Sequence, residues 1–133
     1  MSWKPLLSVL ALLLPFALSA AKPPVVLRSA DDGKTIGIKV GDRFDVSLAA
    51  NATTGYGWEV AEGTGAVIRQ LGEPGYQQDK TDGRKVGVGG TASFHFEAAA
   101  AGTAHLKLVY RRPWEKDKPP AKSFEVTVVV SPA

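Results

Sequence analysis

The residue types that carry most enzymatic chemistry are scarce in this sequence. It has no cysteine and two histidines, His95 and His105, which fall at polar positions of predicted β-strands. No serine stands on a strand–turn–helix elbow of the kind that presents a nucleophile. No carboxylates have the spacing of an acid–base pair, and none joins the histidines at a spacing typical of a metal site. The sequence therefore predicts neither an enzyme nor a protein that needs a metal or cofactor.

The first segment with distinctive chemistry is Asn51–Tyr56, which separates two predicted strands. Side chains such as Asn51, Thr53 and Thr54 can bond to neighbouring backbone groups and stiffen a loop, and Gly55 permits a positive φ. An ordinary turn is the structural alternative. The tripeptide beginning at Asn51 also matches a glycosylation sequon, which matters only in a host with that machinery.

The second segment is the glycine run Gly87-Val88-Gly89-Gly90. Glycine loops that cradle phosphate lie between a strand and a helix, whereas a strand is predicted to follow here, at Ala92–Phe96. A phosphate site is therefore not indicated. The segment is either a flexible hairpin or a loop whose bare backbone can approach another protein closely.

The third segment is Arg112-Pro113-Trp114, which follows a strand predicted to end at Tyr110. Pro113 fixes its own φ and holds Arg112 in an extended conformation. Trp114 should therefore stand on a rigid loop, and a large aromatic residue beside arginine is typical of a binding hot spot. The alternative is a tryptophan folded back onto the edge of the fold.

Alternating apolar and polar residues dominate the chain between these segments, and they predict the strands that must position them. No convincing amphipathic helix is found. Many short strands joined by turns predict an all-β, immunoglobulin-like β-sandwich of about seven to eight antiparallel strands, with Trp58 as a candidate core centre. The predicted strands are Ile36–Val40, Phe44–Leu48, Ala92–Phe96, Ala104–Tyr110 and Phe124–Val130, with shorter ones at Val25–Arg28, Trp58–Val60 and Ala66–Leu71.

The N-terminal stretch predicts export. Residues 1–21 comprise Lys4, an apolar run from Leu6 to Leu18 and the small residues Ser19–Ala21, as in a secretory signal peptide. We expect residues 22–133 to form a single domain, periplasmic or secreted, monomeric and free of the membrane once the signal is cleaved. The net charge of +3 is a small excess with both signs interspersed, so nucleic acid is not an expected partner.

Taken in order, the three segments resemble the chagasin-like inhibitors of papain-family cysteine peptidases. That family combines an Asn-Pro-Thr-Thr-Gly-aromatic loop, a Gly-x-Gly-Gly loop and an Arg-Pro-Trp loop, and this chain reads NATTGYGW, GVGG and YRRPWE. The strand sequences FHFEA and HLKLVY are also similar, so that the resemblance covers essentially all of residues 22–133. One departure is Ala52, which stands where the commonest motif has proline.

The resemblance implies a reversible, competitive inhibitor whose three loops form a wedge in the active-site cleft of a papain-like cysteine peptidase. It implies that Thr53–Gly55 lie nearest the catalytic cysteine, with Gly87–Gly90 on one side and Arg112–Trp114 on the other. By the same match, Asn51 and Tyr56 belong to the peptidase-binding set. The alternative function is an exported adhesion module or one that binds anionic glycans, because Arg111, Arg112, Lys116 and Lys118 surround Trp114.

Overall fold

The protein is described by a computed structural model that covers residues 22–80 and 88–133. These residues form nine strands and two 3₁₀ turns, Ser29–Asp31 and Ala52–Thr54. The predicted signal peptide, residues 1–21, lies outside the described residues. The strands are β1 (Val25–Leu27), β2 (Thr35–Lys39), β3 (Arg43–Ala50), β4 (Gly57–Glu62), β5 (Ile68–Gln70), β6 (Gly75–Gln78), β7 (Gly90–Ala98), β8 (Gly102–Arg111) and β9 (Lys122–Ser131).

The strands form two sheets, which confirms the predicted all-β sandwich. One sheet has the order β1-β3-β7, with β5 and β6 both paired to the free side of β7, and the other has the order β2-β9-β8-β4. The prediction of a wholly antiparallel fold was wrong, because β1 pairs with β3 and β2 pairs with β9 in parallel. Neither β1 nor β2 is joined by a hairpin to the strand with which it pairs, because β1 and β2 lie in different sheets. An antiparallel direction is therefore not imposed on either pairing.

The number of strands also differs from the seven to eight that were expected. The additional strand is β6, which begins directly after Pro74 and in which every residue is exposed. An exposed four-residue strand has no dry face, so it leaves no alternation in the sequence.

The core fills the space between the inward faces of the two sheets. Phenylalanines dominate it: Phe44, Phe94, Phe96 and Phe124 are each no more than 1% exposed. No polar or charged residue is buried in residues 22–80 and 88–133. Trp58 was the predicted core centre and is not, because it lies on the edge strand β4, is only partly buried and packs against the margin of the core.

The two histidines lie on the outer faces of different sheets. His95 of β7 is paired with Asp45 at 2.8 Å through Nδ1, and His105 of β8 contacts the Thr127 hydroxyl at 3.1 Å. They therefore cannot pair across neighbouring strands. Within the described ranges, no group of three or more histidine, cysteine or acidic residues could hold a metal ion. No helix in the same ranges is long and apolar enough to cross a membrane.

Candidate functional site

Strand register brings the three predicted segments to one end of the sandwich. Ala50, the last residue of β3, pairs with Gly90, the first residue of β7. Gly57, the first residue of β4, pairs with Arg111, the last residue of β8. Residues 51–56 cross from one sheet to the other between these two pairs. The first loop (Asn51–Tyr56) is therefore flanked by the described part of the glycine loop (Val88–Gly90) and by the third loop (Arg112–Trp114), and we call the three together the loop edge.

The first loop is stiffened by its own side chains, as its composition predicts. Asn51 caps the 3₁₀ turn: its Oδ1 accepts hydrogen bonds from the Thr53 N–H at 3.1 Å and from the Thr53 hydroxyl at 2.6 Å. The Thr54 hydroxyl donates to the Asn51 carbonyl at 2.7 Å and accepts from the Tyr56 N–H at 3.3 Å. Since each polar side chain bonds back to the loop, its conformation is set before any partner arrives.

Gly55 ends the 3₁₀ turn in a left-handed conformation, with φ of +83°. A Cβ built on Gly55 would lie 2.8 Å from the Cη2 atom of Trp114, closer than real contacts allow. Glycine is thus favoured here by the left-handed backbone angle, and any side chain at this position would also displace the tip of the exposed indole. The contact joins the first loop to the third.

Arg112 makes a second connection between the same two loops. Its Nε donates to the Thr54 carbonyl at 3.2 Å, and its guanidinium carbon lies 4.6 Å from the centre of the Tyr56 ring. Arg112 also lies 3.8 Å from Glu115, to which Lys118 is paired at 3.0 Å. Lysine has no planar group that can stack on the Tyr56 ring while donating an N–H bond from its edge. Arg112 therefore acts as a clamp within the loop edge.

Trp114 projects from the loop edge and is 70% exposed, more than any other large apolar side chain of residues 22–80 and 88–133. Pro113, which precedes it, is also exposed. The indole is thus not folded back onto a sheet, and its edge lies against Gly55. A large exposed aromatic surface on a braced loop is the arrangement expected of a binding hot spot.

The glycine loop is only partly described, and Gly87 lies outside the described residues. Val88 and Gly89 are partly buried and Gly90 is buried. The Gly89 carbonyl accepts a hydrogen bond from the Asp79 N–H at 2.9 Å. The end of the glycine loop is therefore fixed to the start of the connection that leads out of β6.

An aromatic column supports the first loop from beneath, and its central residue, Tyr110, was not singled out as functional by the sequence. Tyr110 lies between Tyr56 and Trp58, with ring centres 5.4 Å and 5.0 Å away. The Trp58 Nε1 donates to the Ala49 carbonyl at 3.0 Å. Tyr110 is buried, and its hydroxyl accepts a hydrogen bond from the Asn51 N–H at 3.0 Å. A tyrosine as the last inward residue of a strand, next to a loop, is the signal that could have identified it.

Comparison with known proteins gives concordant results. A family model described as "Chagasin family peptidase inhibitor I42" matches residues 37–128. Chagasin of Trypanosoma cruzi is 32% identical over 98 residues, which is 73% of this chain and 89% of chagasin. Amoebiasin-2 of Entamoeba histolytica is 29% identical over 105 residues, covering 79% of this chain and 84% of its own. The crystal structure of a cysteine protease inhibitor from Entamoeba histolytica superposes with a TM-score of 0.72 at 28% identity, covering 80% of this chain and 95% of the other.

Proposed function

The chain belongs to the chagasin family of I42 peptidase inhibitors, and from that premise we propose that its loop edge inhibits papain-like cysteine peptidases reversibly and competitively. The protein is an inhibitor of cysteine peptidases and not an enzyme. The observation that carries the proposed mechanism is the register that gathers three braced loops at one end of the sandwich.

In this mechanism the first loop enters the active-site cleft. Thr53, Thr54 and Gly55 lie nearest the catalytic cysteine, and Asn51 and Tyr56 hold them there. The glycine loop lies along the cleft on one side, while Arg112, Pro113 and Trp114 pack on the other. An interface of this kind buries on the order of 800 Å² per partner.

The geometry of the first loop explains how such a protein would resist cleavage. A peptidase cuts an extended segment, whereas residues 52–54 form a 3₁₀ turn that closes with a left-handed glycine. The Thr54 N–H donates to the Asn51 carbonyl at 3.2 Å, so this backbone is already committed to internal bonds. Because the loop is ordered in advance, binding costs little conformational entropy.

The alternative of anionic glycan binding is weakened by ion pairs at three of the four basic residues around Trp114: Arg111, Arg112 and Lys118. Arg111 is paired with Glu59 at 3.3 Å, and Lys118 with Glu115 at 3.0 Å. Cations engaged in this way are less available to an acidic sugar. We therefore retain peptidase inhibition as the single proposed function.

Titration of papain with the mature protein tests the proposal. We expect activity to fall with inhibitor, to recover on dilution, and to show an apparent KM that rises while the maximal rate stays constant. Loss of activity that dilution does not reverse, or that leaves the KM unchanged, would contradict the reversible competitive mechanism. Activity that persists at large molar excess would contradict inhibition of papain-like enzymes altogether.

We propose further that residues 1–21 are removed on export and that the protein acts as a monomer in the periplasm or outside the cell. The supporting feature is the short apolar run that ends in small residues. The intact mass of the protein recovered outside the cytoplasm, and its elution volume in gel filtration, test these two points.

A further inference from the structure

Two tyrosine hydroxyls reach the first loop from beneath, one from each sheet. Tyr110 of β8 accepts a hydrogen bond from the Asn51 N–H at 3.0 Å. Tyr76 of β6 accepts one from the Ala52 N–H at 3.4 Å. Backbone donors at the start of a helical turn have no partner within the turn. Each hydroxyl therefore satisfies a donor that the 3₁₀ turn itself cannot satisfy.

Tyr76 also lies against the start of β7, where the glycine loop ends. It pairs with Ala92, two residues after Gly90. A Cβ built on Gly90 would lie 2.6 Å from the Tyr76 hydroxyl oxygen and 2.7 Å from Cζ, so the ring crosses the glycine at van der Waals distance. The ring lines a cavity of about 230 Å³ under the first loop, together with Trp58 and Phe94.

We propose that Tyr76 is a positioning residue of the loop edge: its hydroxyl holds the first loop in a fixed relation to the glycine loop, so that both reach the peptidase as one pre-ordered surface. The effect on inhibition rests on the proposed function, whereas the contact itself belongs to the free protein. Tyr76 is 44% exposed, and its role differs in this from that of the buried Tyr110. Tyr110 supports the first loop from the core, and Tyr76 connects it to its neighbour.

The hydroxyl of Tyr76 compensates for a local weakness at Ala52. Alanine has no ring to restrict its φ, and it is the first residue of the 3₁₀ turn. Asn51 before it is extended, with φ of −133° and ψ of 99°, which is compatible with a proline at position 52. A proline there would fix φ and remove the N–H donor together. The proline Cδ would also take the place of the amide hydrogen that points at the Tyr76 hydroxyl, so a proline at position 52 would require the Tyr76 ring to move.

The test removes only the acceptor oxygen. We expect Tyr76→Phe to raise the inhibition constant for papain about three- to tenfold, the usual effect of one hydrogen bond. The Ala52 amide should exchange with solvent several-fold faster, while the thermal midpoint falls by no more than a few degrees, as expected for one hydrogen bond. Gln77→Ala, at the next exposed position of β6, is the matched control and should inhibit like the wild type.

The outcomes separate this inference from the proposed function. If the wild type inhibits papain and Tyr76→Phe inhibits equally well, the positioning role is overturned and the function stands. If Tyr76→Phe weakens inhibition while the Ala52 amide exchanges at the wild-type rate, the hydroxyl acts directly on the peptidase, and the positioning role is again overturned. If the wild type does not inhibit papain, the proposed function fails, and an unchanged Ala52 exchange rate in Tyr76→Phe would overturn the contact independently.

Discussion

At the scale of single residues, the loop edge contains side chains that face solvent and side chains that contact other residues of the loops. Trp114 is mostly exposed, whereas Arg112 donates a hydrogen bond to the Thr54 carbonyl and places its guanidinium over the Tyr56 ring. The resemblance treats both as contacts of the peptidase. The geometry supports different roles for the two residues. Replacing Trp114 removes surface that a partner could contact, whereas replacing Arg112 releases the third loop from the first.

The exposed indole allows a sharp prediction. Trp114→Ala should weaken inhibition of papain by roughly 2 kcal/mol or more, because truncating a central aromatic anchor costs about this much. Stability should hardly change, since few folded-state contacts are lost apart from the edge of the ring against Gly55. The inhibition constant and the thermal midpoint, measured together, check both parts. The inhibition constant of Trp114→Phe, which keeps an aromatic ring, should lie between those of the wild type and Trp114→Ala. If Trp114→Ala inhibits papain as strongly as the wild type, Trp114 is not part of the interface.

At the scale of strands and loops, the periodicity of apolar residues predicted the positions of the strands. The alternation along β3, β7, β8 and β9 located all the long strands and therefore the ends from which the loops emerge. It could not show which strands pair, since β2 meets β9 at the other end of the sequence. The core position of Trp58 was wrong for the same reason: burial depends on whether a strand lies at an edge, which is a property of pairing.

The candidate site, like the fold, could be predicted from the sequence only in part. The order and content of the three loops predicted that they act together, and register brings them together. The hydrogen bonds from Arg112 to Thr54 and from Ala52 to Tyr76 join residues that are far apart in sequence. Such contacts depend on where two strands end relative to each other, so no local sequence pattern predicts them.

A second prediction concerns the turn that carries the chain from one sheet to the other, Ser29–Asp31. The Arg28 N–H donates to the Asp31 carboxylate at 2.8 Å and the Lys34 ammonium to it at 3.0 Å, and these bonds lower the pKa of Asp31. A lowered pKa in the folded state means that Asp31 stabilises the fold above its unfolded-state pKa. That stabilisation is lost as the pH falls through the folded-state pKa.

We therefore expect Asp31→Asn to be less stable than the wild type at pH 6 and to approach it at pH 2.5. Urea unfolding at the two pH values measures the difference. Asp117→Asn, in an exposed loop, provides the baseline for removing a carboxylate. A deficit of the same size at both pH values would mean that the charge of Asp31 does not contribute.

At the scale of the whole molecule, the loop edge occupies one end of the sandwich and the core extends away from it. Val128 of β9 is 0% exposed and pairs with Ile36 and Ala104, on the half of its sheet remote from Arg111. The loops are braced mainly by bonds to one another and by the aromatic column beneath them. Stability and inhibition should therefore respond to different substitutions.

Val128→Ala tests this separation. Removing two buried methyl groups and leaving a cavity should lower the free energy of unfolding by about 2 kcal/mol and the thermal midpoint by roughly 10 °C. The inhibition constant at 25 °C should stay at the wild-type value, because most molecules remain folded and their loops are unchanged. Val129→Ala makes the same substitution one residue along, on the outer face where the side chain is 41% exposed, and should alter neither quantity. If Val128→Ala weakened inhibition at a temperature where it is fully folded, core packing would have to reach the loop edge, and the loops could no longer be treated as a surface that braces itself.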